Sequence, residues 1–145
     1  MTRIHTDGAC RGNPGPGGWA WAQGRDRYAS GAEAHTTNQR MEIRAVIEAL
    51  REVADGPVEI VSDSSYVVKC FHERWYVGWL RRDWRNSQGK PVANRDLWEA
   101  LFALTLDVGR GVTFSWVKGH SGDAMNDFVD LLATRAADLQ VGQHS

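Results

Sequence analysis

The sequence predicts a mixed α/β fold: one sheet with helices packed against it. Three observations predict it. The periodicities along the chain run as three strands, a helix, a strand, two or three helices, a strand and a last helix. No repeat or low-complexity linker interrupts that order. The length of 145 residues, 42% hydrophobic and 24% charged, suits one domain, residues 1–145, with its own core.

Each element has its own warrant. "TRIHTDGA" (2–9) reads as a strand that runs into a turn rich in glycine and proline. "GGWAWAQG" (17–24) alternates large and small residues as a half-exposed strand does, and 27–35 continues an antiparallel meander. From Thr37 to Val53 the apolar residues Met41, Ala45, Val46, Ala49, Leu50 and Val53 recur at helical spacing. "VEIVSD" (58–63) is a nearly continuous β-branched run, the pattern of a buried strand. Residues 64–84 read as one or two short helices, followed by the loop "RNSQGKPVAN". Asn94 is placed to cap a helix carrying Leu97, Leu101 and Leu104. "GVTFSWV" (111–117) alternates as a strand, and "KGHSGD" (118–123) is a glycine-flanked loop. A helix over about 124–140 then sets Met125, Val129, Leu132, Ala133 and Ala136 on one face.

The net charge of −1 excludes a globally basic nucleic-acid binder, but its distribution is uneven. Between Lys69 and Arg95 stand seven Lys/Arg and two acids; the rest of the chain holds ten bases and sixteen acids. A basic segment on an acidic body is what an anion-binding patch beside a metal-binding centre produces. Cys10 and Cys70 form no metal or redox pattern, as expected of a reduced intracellular chain. The opening "MTRIHTDGAC" has no apolar signal core and no segment is suited to span a bilayer, so a soluble, cytoplasmic protein is expected. No surplus amphipathic face suggests an obligate interface, and a monomer is the default.

Four acids stand in awkward places. Asp7 sits where the first strand ends and Asp63 where the buried strand 58–63 ends. By itself the first reads as a turn former and the second as a helix N-cap. Glu42 shares the edge of the buried face of its helix with Ala45 and Val46, where an unpaired charge is costly. Asp130 is flanked by "FV" and "LL" in the last helix. Ligands gather beyond the carboxyl ends of strands in open sheets. If the strands ending at Asp7 and Asp63 are neighbours, four carboxylates converge and need divalent cations to offset their repulsion. Hard oxygen ligands suit Mg²⁺ or Mn²⁺. Two such ions about 4 Å apart activate a water and stabilise a leaving oxygen in phosphoryl displacement. The glycine turn itself, with five glycines and two prolines in residues 5–22, lacks both the P-loop signature and dinucleotide-fingerprint spacing.

"TDGACRGNPGPGGWA", "TTNQRMEIRAVIEAL", "SDSSYVV", "NRDLWEAL" and "WVKGHSGDAMNDFVD" together closely resemble bacterial ribonuclease H of type I, collinearly over nearly the whole chain. The resemblance implies a ribonuclease H-like fold: a five-stranded mixed sheet, three strands antiparallel plus two parallel, with helices on both sides. It implies an endonuclease that hydrolyses the RNA strand of an RNA–DNA hybrid, without sequence preference, leaving 5′-phosphate and 3′-hydroxyl ends. Its metal-binding carboxylates carry over to Asp7, Glu42, Asp63 and Asp130, holding Mg²⁺ or Mn²⁺, two ions in the substrate complex. The family's mobile histidine falls on His120, with a role in proton transfer or product release. His5, His35, His72 and His144 match no functional position.

Substrate contacts follow from the same resemblance. Glycines let backbone approach closely, here toward the minor groove of a hybrid. RNA is told from DNA by its 2′-hydroxyl. Backbone around Cys10, Gly12 and Asn13, with the side chains of Asn13, Asn38 and Gln39, is placed to read it. "FHERWYVGWLRRDWRNSQGK" resembles the family's basic protrusion, at about 75–95, where Trp75, Trp84, Arg81, Arg82 and Arg85 meet sugars and phosphates. Trp79 is expected to pack in the core. Thr37 and Asn94 match the family's pocket for a phosphate of the DNA strand. The chain departs from the pattern at Leu80, where a lysine is common, at Ser65, and in a short segment before Thr36; these bear on affinity and rate. A non-catalytic hybrid-binding module is the rival reading and predicts a lost carboxylate. Another nuclease of the same fold predicts loss of the turn and the protrusion. All of these features are present.

Overall fold

A five-stranded sheet forms the centre of the computed structural model, which describes residues 2–53, 56–107 and 109–145. The strands are β1 (Thr2–Cys10), β2 (Gly15–Gly24), β3 (Arg27–Thr36), β4 (Val58–Ser62) and β5 (Val112–Trp116). The helices are α1 (Asn38–Glu52), α2 (Ser65–His72), α3 (Trp75–Arg81), α4 (Arg95–Thr105) and α5 (Ala124–Leu139). The spatial order is β3-β2-β1-β4-β5. The β1/β2 and β2/β3 pairs are antiparallel, while β1/β4 and β4/β5 are parallel. This is the mixed sheet that the sequence predicts, and β1 and β4 are indeed neighbours.

Alternation along β2 divides the two faces. Trp21 packs into the larger core with Ile4, Ile43, Val46, Ile60, Trp98 and Phe114. Ala20 and Ala22 face a smaller cluster with Val129, Leu132 and Ala133 of α5. The small residues on that face let α5 lie close: a Cβ on Gly18 would stand 2.4 Å from the Ala133 carbonyl oxygen. The large face is filled by aromatic rings. Phe71 stacks on Phe114 with centroids 4.0 Å apart, and Trp84 and Trp98 both stack on Phe102. Trp79 touches Trp84, Trp98 and Phe102, as expected for a core tryptophan.

Three local expectations are corrected. The first strand does not end at Asp7 but continues to Cys10, because antiparallel pairing with β2 persists after parallel pairing with β4 stops at Thr6↔Ser62. Asn94 holds the N-cap position of α4 in a left-handed conformation (φ 63°), and its side chain makes no capping bond. Its side chain instead donates to the Tyr66 hydroxyl and accepts from Arg40 Nη1, joining α4 to α1 and α2. Asp63 is not the cap of α2; the Ser64 hydroxyl accepts from the Val67 N–H and takes that place. The segment 64–84 resolves into two helices, broken at Arg74 with φ 56°. Among the described residues no helix is long and apolar enough to cross a membrane.

Candidate active site

The parallel register of β1 and β4 places Asp7 and Asp63 side by side, each the next residue after the paired Thr6 and Ser62. Glu42 reaches them because α1 lies directly on β1. A Cβ on Gly8 would stand 2.4 Å from the Glu42 nitrogen and 2.5 Å from the Met41 carbonyl carbon, so only glycine admits that approach. Asp7, Glu42 and Asp63 each offer an oxygen within 4.8 Å of the other two. Asp7 is 2% exposed and Glu42 6%, whereas Asp63 is half-buried at the rim.

Such a cluster is electrostatically frustrated. Burial, then the charges of Glu42 and Asp63, then Asp130, hold the Asp7 carboxyl far above the ordinary carboxylate range. Glu42 is likewise pushed well up, first by burial and then by Asp63. Asp7 Oδ1 accepts from the Gly8 N–H, but Asp7 Oδ2 and Glu42 Oε2 are buried with no hydrogen-bond partner. Buried polar atoms are almost always paired. Two orphaned carboxylate oxygens facing a third acid fit a divalent cation, whose ligands are oxygens of this kind. Asp130, half-buried on α5, lies outside this three-acid group, but its negative charge adds to the repulsion at Asp7.

The remaining site candidates surround the acids at different depths. His120 is exposed on the loop between β5 and α5, with φ 56°. Its neighbour Gly119 packs on the Asp63 carboxylate, where a Cβ would lie 3.0 Å from Oδ2. A cleft of about 440 Å³ opens over Glu42 and Asp63, walled by Asn38, Gln39, Tyr66 and Gly119. The turn meets α1 at this cleft, because Asn13 Oδ1 accepts from the Asn38 N–H at 2.9 Å. Gly12 (φ 74°) is exposed, and the half-buried Cys10 thiol donates to the Gly12 carbonyl. Thr37 caps α1 by accepting from the Arg40 N–H, and the Arg40 guanidinium reaches Asn94 and Asp96. Thr37 and Asn94 thus converge through Arg40, which the sequence reading passed over.

The basic segment is only partly a surface. Arg81, Arg82 and Arg85 are exposed, with Arg82 Nε donating to the Arg85 carbonyl and Arg85 Nη1 to the Gly89 carbonyl. Trp75 is half-buried and donates to Glu73. Trp84 is 9% exposed, one face on Phe102 and the Arg95 guanidinium 5.1 Å from its ring centre. Its ring therefore serves the core more than an outer face. The histidines set aside by the sequence are structural where contacts exist: His5 lies 3.6 Å from Asp123, and His72 Nε2 is 2.6 Å from the Phe114 carbonyl. One residue escaped the sequence reading entirely. Asn126, 1% exposed on α5, donates from Nδ2 to Asp63 Oδ2 at 3.4 Å. A polar side chain three positions before the buried Val129 was the only available signal.

A carboxylate cluster at the ends of adjacent parallel strands, beside a helix N-terminus, is the arrangement of a metal-dependent phosphodiester-cleaving enzyme built on a mixed sheet. The RNase H family model matches residues 1–138, and the chain belongs to that family, whose members cut the RNA strand of RNA–DNA hybrids. A ribonuclease H of Alkalilimnicola ehrlichii is 51% identical over 138 residues, covering 92% of either chain. One of Thermus thermophilus is 48% identical over 141 residues, covering 94% of this chain and 84% of the other. Among solved structures, LC9-RNase H1, a type 1 RNase H with the type 2 active-site motif, is 32% identical with a TM-score of 0.81 over 99% of this chain and 74% of its own. This chain is accordingly a nuclease of the ribonuclease H kind.

Proposed function

We propose that the whole chain acts as one catalytic unit that binds an RNA–DNA hybrid and hydrolyses the RNA strand with two divalent ions. Mg²⁺ is the expected ion, and Mn²⁺ an alternative of the same ligand chemistry. The observation that carries this reading is the pair of orphaned oxygens, Asp7 Oδ2 and Glu42 Oε2, beside Asp63. Asp7, Glu42, Asp63 and Asp130 hold the ions. When bound, the ions supply an activated water and offset the charge gathering on the scissile phosphate.

The chain's own residues position the rest. Asn38 and Gln39 line the cleft, and the turn that carries Cys10, Gly12 and Asn13 is tied to it by the Asn13–Asn38 bond; together they offer hydrogen-bonding groups suited to 2′-hydroxyls, which donate and accept. Thr37 and Asn94, around the N-terminus of α1, hold a phosphate of the uncut strand, where the helix dipole and the Arg40 guanidinium beside Asn94 favour an anion. Arg81, Arg82 and Arg85, with Trp75 and the exposed margin of Trp84, carry the rest of the duplex backbone. His120, on its exposed loop, moves a proton at the leaving oxygen and helps free the product. The products carry 3′-hydroxyl and 5′-phosphate ends. The protein works as a cytoplasmic monomer.

The test is incubation of an end-labelled hybrid, and of duplex DNA of the same sequence, with Mg²⁺ and with EDTA. Cutting confined to the RNA strand of the hybrid and abolished by EDTA is expected. Equal cutting of duplex DNA, or cutting in EDTA, overturns the reading.

A further inference from the structure

Asp63 is the least buried of the three clustered acids, so its carboxylate needs something to hold it toward Asp7 and Glu42. Its immediate surroundings supply three restraints. Trp116 Nε1 donates to its backbone carbonyl at 3.1 Å. Gly119 packs on its carboxylate from the loop side. The third is Asn126, whose Nδ2 reaches Oδ2 from α5. Asn126 is itself fixed at both ends. Its backbone N–H donates to Asp123, the N-cap of α5, at 2.9 Å, and Asp123 faces His5 of β1 at 3.6 Å. The start of α5 is thereby tied to β1, and through Asn126 to the end of β4.

The other side-chain atom of Asn126 has no explanation within the fold. Oδ1 is buried without a hydrogen-bond partner, in a residue 1% exposed. An amide with one end on a candidate metal ligand and the other end unsatisfied is the arrangement of a residue that orients a ligand and accepts from the ion's bound water. Partners behind the direct ligands are commonly worth 10–100-fold in metal affinity.

We propose that Asn126 is a positioning residue of the metal centre: Nδ2 holds Asp63 in its ligating orientation, and Oδ1 accepts from the hydration shell of the bound ion. The inference rests on the proposed metal-dependent reading of the site and adds to it a neutral side chain from the helix that also carries Asp130. The Nδ2 contact acts through Asp63, which makes the role separable from a merely structural one.

The experiment is a double-mutant cycle read by Mn²⁺ binding, with free Mn²⁺ followed by electron paramagnetic resonance, so that turnover does not enter. Asn126→Ala is expected to weaken Mn²⁺ binding about 10-fold or more in the parent background, and by clearly less in Asp63→Asn, where only the Oδ1 contact remains to be lost. The hybrid Kd of Asn126→Ala in EDTA is expected to stay within about twofold of the parent, because the groove is untouched. Asn126→Ser, smaller yet still polar, serves where the alanine variant does not fold. Equal losses in both backgrounds, or no loss in the parent background, overturn the positioning role. If the parent chain itself fails to bind Mn²⁺, it is the metal-dependent reading that fails, a result distinct from an Asn126 variant that binds as well as the parent.

Discussion

Asp7 and Glu42 are acids that the fold holds against their own preference. Both are buried, both face Asp63, and each keeps an oxygen that nothing satisfies. In the metal-free protein this has a definite sign. A carboxyl whose folded pKa is raised contributes stability that is fully present below its unfolded value, near 4, and lost as the pH rises toward the folded value. Asp7 and Glu42 are both raised. Removing one of the charges therefore helps more the higher the pH. Asp7→Asn in EDTA is expected to match the parent near pH 4 and to be more stable at pH 7.5 by about 2 kcal/mol. That corresponds to about 4–8 °C in Tm for a chain of this length. Thermal unfolding at both pH values checks it, and added Mg²⁺ should close the gap by stabilising the parent alone. A gap that shrinks as pH rises refutes the account. At this scale much was legible, since an acid on an apolar helical edge, Glu42, announces a partner. Asn126 was not, because a lone amide on an amphipathic helix carries no periodic signal and its meaning depends on which residue lies across the gap.

Among elements, the decisive contact is that of α1 on β1. Two glycines explain how closely the helices approach the sheet, Gly8 under α1 and Gly18 under α5. The sequence marks this region as glycine-rich and suggests close approach of a nucleic acid; for Gly8 and Gly18 the close approach is internal, of helix backbone to strand. That distinction cannot be read from composition, because a glycine meets any neighbour equally well. Gly8→Ala tests it. The added methyl meets backbone atoms of Met41 and Glu42, which cannot rotate away, so α1 must lift from β1. A loss of about 3 kcal/mol is expected, read by urea unfolding, with Mg²⁺ affinity falling as Glu42 retreats from Asp7. A variant as stable as the parent would mean that the helix has slack here. The strand and helix order was legible from hydrophobic period alone, whereas ends decided by neighbours were not. β1 extends past Asp7 because β2 pairs with it, and Asn94 is drawn from capping by Tyr66 and Arg40.

The whole molecule carries its charge unevenly, and that asymmetry belongs to binding rather than to folding. Arg81, Arg82 and Arg85 are exposed on and just after α3, while the acids converge at the ends of β1 and β4. A duplex laid across both is gripped by the arginine cations on one side, while at the acids divalent ions offset the repulsion of its phosphates. Each phosphate neutralised by an arginine releases condensed counterions, so log Kd climbs with log salt by nearly one unit of slope per contact. Replacing Arg81, Arg82 and Arg85 together by alanine is expected to lower that slope by about 2–3. The measurement is hybrid binding between 50 and 300 mM salt in EDTA, where no cutting occurs. The aromatic packing beneath should survive, because Trp79 and Trp84 hold to Phe102 and Trp98 without help from these arginines. A slope unchanged in a folded triple variant would show that the duplex does not cross α3, and would move the basic contact elsewhere on the surface.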